Sequence, residues 1–464
     1  MLLPRLIIAD EHRAGKLSSG VLIASVLKAF GYKLKPYVGN VDDTTLCALQ
    51  AVCGQPVTMI DPTLCEAEAN VKWLFQSTAS PDCINFILVN LGHAVDADTP
   101  IRVSKECALL SKWLDCGVIP VIAADASSSI TVNKTSQVVA QLEKGGGRAI
   151  AFLFRAVLNS REFELVDREV GRRFSVSSIG FMSETAERPS PKLLDLVTSN
   201  VKSALLPIKS VSLQLKNNDQ MICWPVFYAL SLSAPDMARQ PALAKPIDEA
   251  GKVNIAVIKN PITSLGGDGT ERLMKILGCN IVDVSLDGRI SQNVAIHGVY
   301  VPYGLTHIAL EKLLGNRYLK ALLSKAAGGM SFLLAEGPSA ALFGERIKLP
   351  SGVELDGLGL FRFECAFSNI SLGSHKKFTA KSKKANPLIS GSQEWVYGYT
   401  SSTAAFNGTR VEEETARDEC WELSDSPNSK PVRRDGWAKH KMLATSMRIE
   451  PWGTPETFAR WLNS

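Results

Sequence analysis

Short apolar runs rich in β-branched residues alternate along this chain with stretches of helical spacing, and that alternation restricts the fold more than any other feature. The runs are RLIIA (5–9), INFILVN (84–90), VIPVIAAD (118–125), AIAFLFRAV (149–157) and FSVSSIGFM (174–182). Between them lie VLIASVLKAFG, RVSKECALLSKWLDCG and SQVVAQLEKGGG, each stopping at glycine as a helix does. The runs themselves do not alternate polar with apolar residues. Strands apolar on both faces are buried on both, which predicts a parallel sheet with helices on either side.

The segment 234–252, APDMARQPALAKPIDEAGK, carries three prolines and no apolar period, and reads as a linker. The predicted division is therefore residues 1–233, a linker over 234–252, and residues 253–464. A second α/β series opens the latter part. It has a strand at VNIAVIKN, a helix through GTERLMKILG, strands at CNIVDVS and GVYVPYG, one long helix through THIALEKLLGNRYLKALLSKAAGG, and a strand at MSFLLAE. Beyond Gly344 the composition turns to Gly, Ser, Thr and aromatic residues, which predicts antiparallel strands and loops. Residues 407–435 read as a polar insertion. The last helix, TPETFARWLN, is expected to start with Thr454 as N-cap and Pro455 at its first position.

Composition narrows the function classes. A net charge of +5 over 464 residues is too small for a nucleic-acid footprint. No early apolar run approaches the roughly 18–20 residues that span a bilayer, so no membrane partner is expected. The start, MLLPRLIIADEH, reads as a first strand and not as a signal peptide. Ten cysteines are scattered without a CxxC pair, so no metal site is predicted and a cytoplasmic location is expected.

The stretch FLLAEGPSAALFG (332–344) has the strand, tight turn and helix that expose a nucleophile at the top of an α/β sheet, but the elbow position is Gly337. Taken with GYKLKPYVGN, PVIAADASSS, SSIGFMSETAERPSP, GNRYLKALL and the final GTPETFARWL, in that order, the chain resembles the cobyrinic acid a,c-diamide synthase family. That resemblance implies an α/β protein of two doubly wound domains. The N-terminal one would be P-loop-NTPase-like, of the dethiobiotin-synthetase type. The C-terminal one would be class I glutamine-amidotransferase-like. Members amidate tetrapyrrole carboxylates with ATP and glutamine.

Against the family pattern, the chemical residues are altered. The phosphate loop reads IADEHRAGKLSSG, where Gly15 and Lys16 match. Asp10 stands for the leading glycine, and Leu17 replaces the hydroxyl that would ligate Mg²⁺. Ser18 or Ser19 could substitute for that hydroxyl only with a shifted helix start, and Asp125 matches an aspartate at a strand end. A Glu-Gly pair is replaced by Asn90, Leu91 and Gly92, followed by His93, which reads as a structural residue. At the elbow Gly337 replaces the cysteine, and Pro338 and Ser339 replace two glycines. Arg448 stands where the catalytic histidine is expected and cannot act as a base. The run SHKKFTAKSKK places His375, Lys376, Lys377, Lys381, Lys383 and Lys384 in an expected loop that could attract a polycarboxylate. Lys376, Lys377 and Lys381 are its ligand-binding candidates.

The expectation is a catalytically degenerate homologue that binds a tetrapyrrole or corrinoid, an active homologue, or another enzyme of the same pathway, with no resident cofactor. The alternative is an ATP-dependent amide ligase that uses free ammonia. It would hold ATP and Mg²⁺ through Gly15, Lys16, Ser18 and Asp125.

Overall fold

A computed structural model describes the whole chain apart from residues 12–14, 94–100, 125–126, 218–220, 242–252, 261, 263, 266–267, 292–293, 305, 326–327, 329–331, 369–375, 384–385, 387, 389–393, 401–402, 409–418, 428 and 464. It divides into two compact units, Met1–Gln240 and Pro241–Ser464.

In the first unit the strands are β1 (Arg5–Glu11), β2 (Leu34–Gly39), β3 (Thr58–Met59), β4 (Ile84–His93), β5 (Arg102–Val103), β6 (Val118–Ala123), β7 (Phe152–Val157) and β8 (Ser178–Ser183). They form one sheet in the order β3-β2-β4-β1-β6-β7-β8. Every pair on that path is parallel, and β5 joins β4 antiparallel. All seven residues of β1 are buried, the apolar Leu6–Ala9 as a central strand covered on both faces requires, together with Arg5, Asp10 and Glu11. The predicted strand over 174–182 is shorter in the structure, because Phe174 closes the helix Ser160–Arg173 with its N–H on Val170 O.

The linker expectation changes at its start. Ala234 and Met237 are buried. The Arg5 guanidinium donates to Pro235 O at 2.8 Å, while the Gln76 side chain bonds Ala238 O at 2.6 Å and Gln240 N at 3.0 Å. Residues 234–240 thus belong to the first unit. Backbone carbonyls anchor them, and carbonyls leave no hydropathy pattern.

The second unit holds β9 (Asn254–Ile258), β10 (Asn280–Val284), β11 (Gly298–Val301), β12 (Phe332–Glu336), β13 (Arg346–Lys348), β14 (Glu354–Asp356), β15 (Phe363–Phe367), β16 (Lys376–Ser382), β17 (Trp395–Thr400), β18 (Ala404–Gly408), β19 (Glu419–Ser424), β20 (Arg433–Lys439), β21 (Met442–Thr445) and β22 (Met447–Ile449). Its main sheet runs β10-β9-β11-β12-β21-β20-β19-β16-β17-β22. The first five strands are parallel, and the rest pair antiparallel. A smaller sheet, β14-β13-β15-β18, supplies part of the same core through Ile347, Phe363 and Cys365.

Three expectations for this unit are corrected. The long helix is two, Thr306–Gly315 and Arg317–Lys325, because Asn316 lies between them and its side-chain oxygen accepts from Tyr318 N and Leu319 N. The expected insertion over 407–435 contains β19 and the start of β20. Cys420, Trp421 and Leu423 of β19 are buried beneath polar neighbours, and residues 409–418 lie outside the described residues. The final helix, Pro455–Asn463, begins where predicted, but the Thr454 hydroxyl is buried without a hydrogen bond and its backbone carbonyl takes Thr457 N instead. No helix among the described residues is long and apolar enough to cross a membrane.

Candidate functional sites

Open parallel sheets present ligand sites at the carboxyl ends of their strands. In the first unit β1 ends at Asp10 and Glu11, and the next described residues enter the helix Ser19–Ala29. Gly15 takes a left-handed turn at φ +71°. Lys16 forms a bridge with Pro189, flanked by Leu17 N on Arg188 O and Ser190 N on Gly15 O, each at 2.9 Å. Its half-exposed ammonium lies 3.7 Å from the Glu187 carboxylate.

Ser18 caps the helix by accepting from Gly20 N at 3.1 Å, and its hydroxyl donates to Asp10 Oδ2 at 2.7 Å. The same carboxylate oxygen accepts from Ser19 N at 2.6 Å and from Gly20 N at 3.4 Å. A helix N-terminus attracts an anion through these free N–H groups and its dipole. Here the protein's own carboxylate supplies that anion. Behind it, Arg155 Nε lies 3.9 Å from Asp10 Oδ1, Arg155 donates to Glu11 O at 2.6 Å, and Lys134 pairs with Glu11 at 3.0 Å. The cavity between Lys16, Leu17, Ser19, Arg155, Met182 and Glu187 offers about 10 Å³ to a water-sized sphere. That is the room of roughly one water molecule. Asp125 lies outside the described residues. Among the described residues, Lys16 lies beside Glu187, and Ser18, Ser19 N and Gly20 N are engaged by Asp10.

In the second unit β12 delivers Glu336 to its end, and a short 3₁₀ turn, Gly337–Phe343, follows in place of the α-helix expected there. Pro338 sits at its start, where no backbone N–H is needed. Gly337 has φ +59°, a conformation that other L-residues adopt at a cost, so the elbow bend itself is present. A Cβ built on Gly337 would lie 2.3 Å from Tyr303 Cδ2 and 2.9 Å from Tyr303 Cε2. The aromatic ring stands where a nucleophile's side chain would project. Ser339, the nearest hydroxyl, is buried and donates to Pro302 O at 2.6 Å, so it is committed to the backbone.

Arg448 sits on β22 close by. Its guanidinium donates to the Tyr399 hydroxyl at 2.7 Å and lies 5.9 Å and 5.6 Å from the ring centres of Tyr303 and Tyr399, which meet edge to face. Burial alone would push the guanidinium down. Tyr399, Tyr300, Glu450 and Glu336 outweigh it and hold the group above its ordinary value. Arg448 is a permanent cation here. Glu336 is fully buried and accepts from the Tyr300 hydroxyl at 2.9 Å and from Ile449 N at 3.3 Å. Burial pushes its carboxyl up to about 7, against the opposing pull of Arg448 and those two donors.

The unit offers no replacement thiolate at Cys279 or Cys365. Both are buried, and burial pushes Cys279 up to about 12 and Cys365 higher still, leaving them protonated.

The lysine run is not a loop over its described part. Lys376, Lys377 and Lys381 lie on β16, and the two-residue period of a strand puts Lys376 on one face and Lys377 and Lys381 on the other. Lys376 pairs with Asp425 at 3.0 Å, and Lys381 lies 5.2 Å from the Trp395 ring centre. The three therefore do not converge on one ligand. His375 and Lys384 lie outside the described residues. No group of three metal-ligating side chains occurs among the described residues.

The residues that sequence reading missed are those that close the two sites, namely Tyr303, Tyr300, Tyr399 and Arg155. Tyr303 was visible only as part of the strand run GVYVPYG, and Arg155 only as a charge inside an apolar strand run.

No protein-family model matches the chain, and no curated protein matches it. Among solved structures it is similar to a glutamine amidotransferase from Thermotoga maritima, at 9% identity over 46% of this chain and 82% of that one, with a TM-score of 0.31. It is similar to PurLQS from Thermotoga maritima, at 12% identity over 46% and 99%, with a TM-score of 0.31. The MinC:MinD cell division protein complex of Aquifex aeolicus is matched at 12% identity over 46% and 96%, with a TM-score of 0.25. Both sites stand on their own geometry.

Proposed function

We propose that this chain is a catalytically silent homologue of the cobyrinic acid a,c-diamide synthases. Its first unit would correspond to the dethiobiotin-synthetase-like nucleotide binder and its second to the class I glutamine amidotransferase, and it would act by binding a tetrapyrrole or a protein of the same pathway. The observation that carries this reading is the Tyr303 ring against Gly337. Glutamine hydrolysis through a thioester needs a side chain at the elbow, and that volume is taken by tyrosine while the neighbouring base position holds a buried arginine. The Asp10 carboxylate at the first helix supports the same conclusion for ATP.

Isothermal titration of the full chain with cobyrinic acid, sirohydrochlorin and ATP·Mg²⁺ tests the proposal. A heat of binding with a tetrapyrrole and none with ATP·Mg²⁺ is expected. Binding of ATP·Mg²⁺ with ammonia-dependent amidation of a tetrapyrrole would establish the ligase alternative.

A further inference from the structure

The helix Val201–Asn217 of the first unit carries Lys202, Leu206, Lys209, Leu213 and Lys216, at successive spacings of four, three, four and three. That heptad spacing aligns all five in one narrow stripe, with the two leucines about 10 Å apart along the axis. The opposite face, which includes Leu205, Ile208, Val211 and Leu215, is buried, so the stripe is the solvent side. Leu206 is 64% exposed and Leu213 53%. Lone exposed leucines need no explanation, but two in heptad register between lysines form a pattern.

The charge of the stripe is one-sided. The helix has no acidic residue. Lys202 and Lys209 are exposed and make no ion pair among the described residues. Lys216 folds back, donating to Ala29 O at 2.6 Å, and its ammonium lies 4.8 Å from the Phe30 ring centre. Phe30 is itself exposed. Pro207 lies about 100° round the helix from Leu206 and leaves the stripe clear.

We infer that this stripe docks an acidic amphipathic helix of another protein, whose leucines pack over Leu206 and Leu213 and whose carboxylates face Lys202 and Lys209. Heptad register suits a helical partner, and charge complementarity requires that partner to be acidic. A second copy of this chain using the same stripe would set lysine against lysine. A membrane surface needs a broad apolar face, and two leucines in a narrow stripe on an otherwise packed helix do not provide one. The surface does not depend on whether either candidate site is silent.

The test is fluorescence anisotropy with the full-length protein and two labelled, side-chain-stapled helical peptides of three heptads. Each carries leucine at a and d, flanked by glutamate at e and g in one peptide and by lysine in the other. The wild type is expected to bind the glutamate peptide only, and about tenfold or more weaker in L206S/L213S and in K202E/K209E. The charge-reversed variant should turn to the lysine peptide. Unchanged melting temperatures would show that both variants fold. Failure to bind the glutamate peptide, equal affinity for both peptides, or equal affinity of wild type and variants would overturn the inference. So would sedimentation with phosphatidylserine vesicles that both double variants abolish, because it would assign the stripe to a membrane.

Discussion

Gly337 combines a backbone that other residues resist with a neighbour that leaves them no space. A non-glycine residue at its positive φ costs about 1–2 kcal/mol, and forcing a methyl against the Tyr303 ring adds about 1–3 kcal/mol of overpacking. Gly337→Ala should therefore lose about 2–5 kcal/mol in urea denaturation. In a Tyr303→Ala background only the backbone part should remain. Equal losses in both backgrounds would mean that the ring does not fill that place. Glu336, one residue earlier, makes stability depend on pH. Its carboxyl titrates near 7 in the folded protein, against an ordinary 4.5. A raised folded value means that the folded state keeps a proton the unfolded state has released. Stability from this group is full below about pH 4.5 and falls as pH rises to about 7, by an amount on the order of 3 kcal/mol. Glu336→Gln should flatten that part of the profile, as chemical denaturation at a series of pH values would show.

At the scale of elements, the parallel core was readable because unbroken apolar runs leave few alternatives. The five runs of the first half and those of the second all became or contain strands, with 174–182 shortened by the cap of the preceding helix. What could not be read has particular causes. The break at Asn316 depends on a side chain turning to cap the following helix, and helical spacing continues across it. Strand β19 hides because Glu419 and Glu422 break up its apolar signal, although Trp421 and Leu423 on one face and Cys420 on the other are all buried. The 234–240 segment is held by carbonyls. The site closures were the least legible feature, since Tyr303 meets Gly337 and Arg155 meets Asp10 only after long stretches of chain have folded. The residues at the two strand ends could be read from identity alone; the side chains that pack against them could not. One element-scale consequence is measurable. Asn316→Ala removes the cap of Arg317–Lys325 and should cost about 1 kcal/mol in chemical denaturation, and Asn316→Asp, which keeps the acceptor, should restore most of it.

Across the whole molecule, two sheets in two compact units repeat one event. At the carboxyl end of a central strand, where a ligand or a nucleophile would be placed, a side chain of the chain itself completes the packing. In the first unit the group is an anion at a helix N-terminus, and in the second an aromatic ring at an elbow backed by a buried cation. The two closures use different chemistry and lie in different units, so no one local error of chain register accounts for both. The most direct measurement is release of glutamate from glutamine by the purified full-length chain, with and without ATP·Mg²⁺ and a tetrapyrrole acceptor. The prediction is no release above the enzyme-free blank for the wild type, and none for G337C/R448H while Tyr303 remains in place. Sustained turnover by the wild type would contradict the account that Tyr303 fills the place beside Gly337.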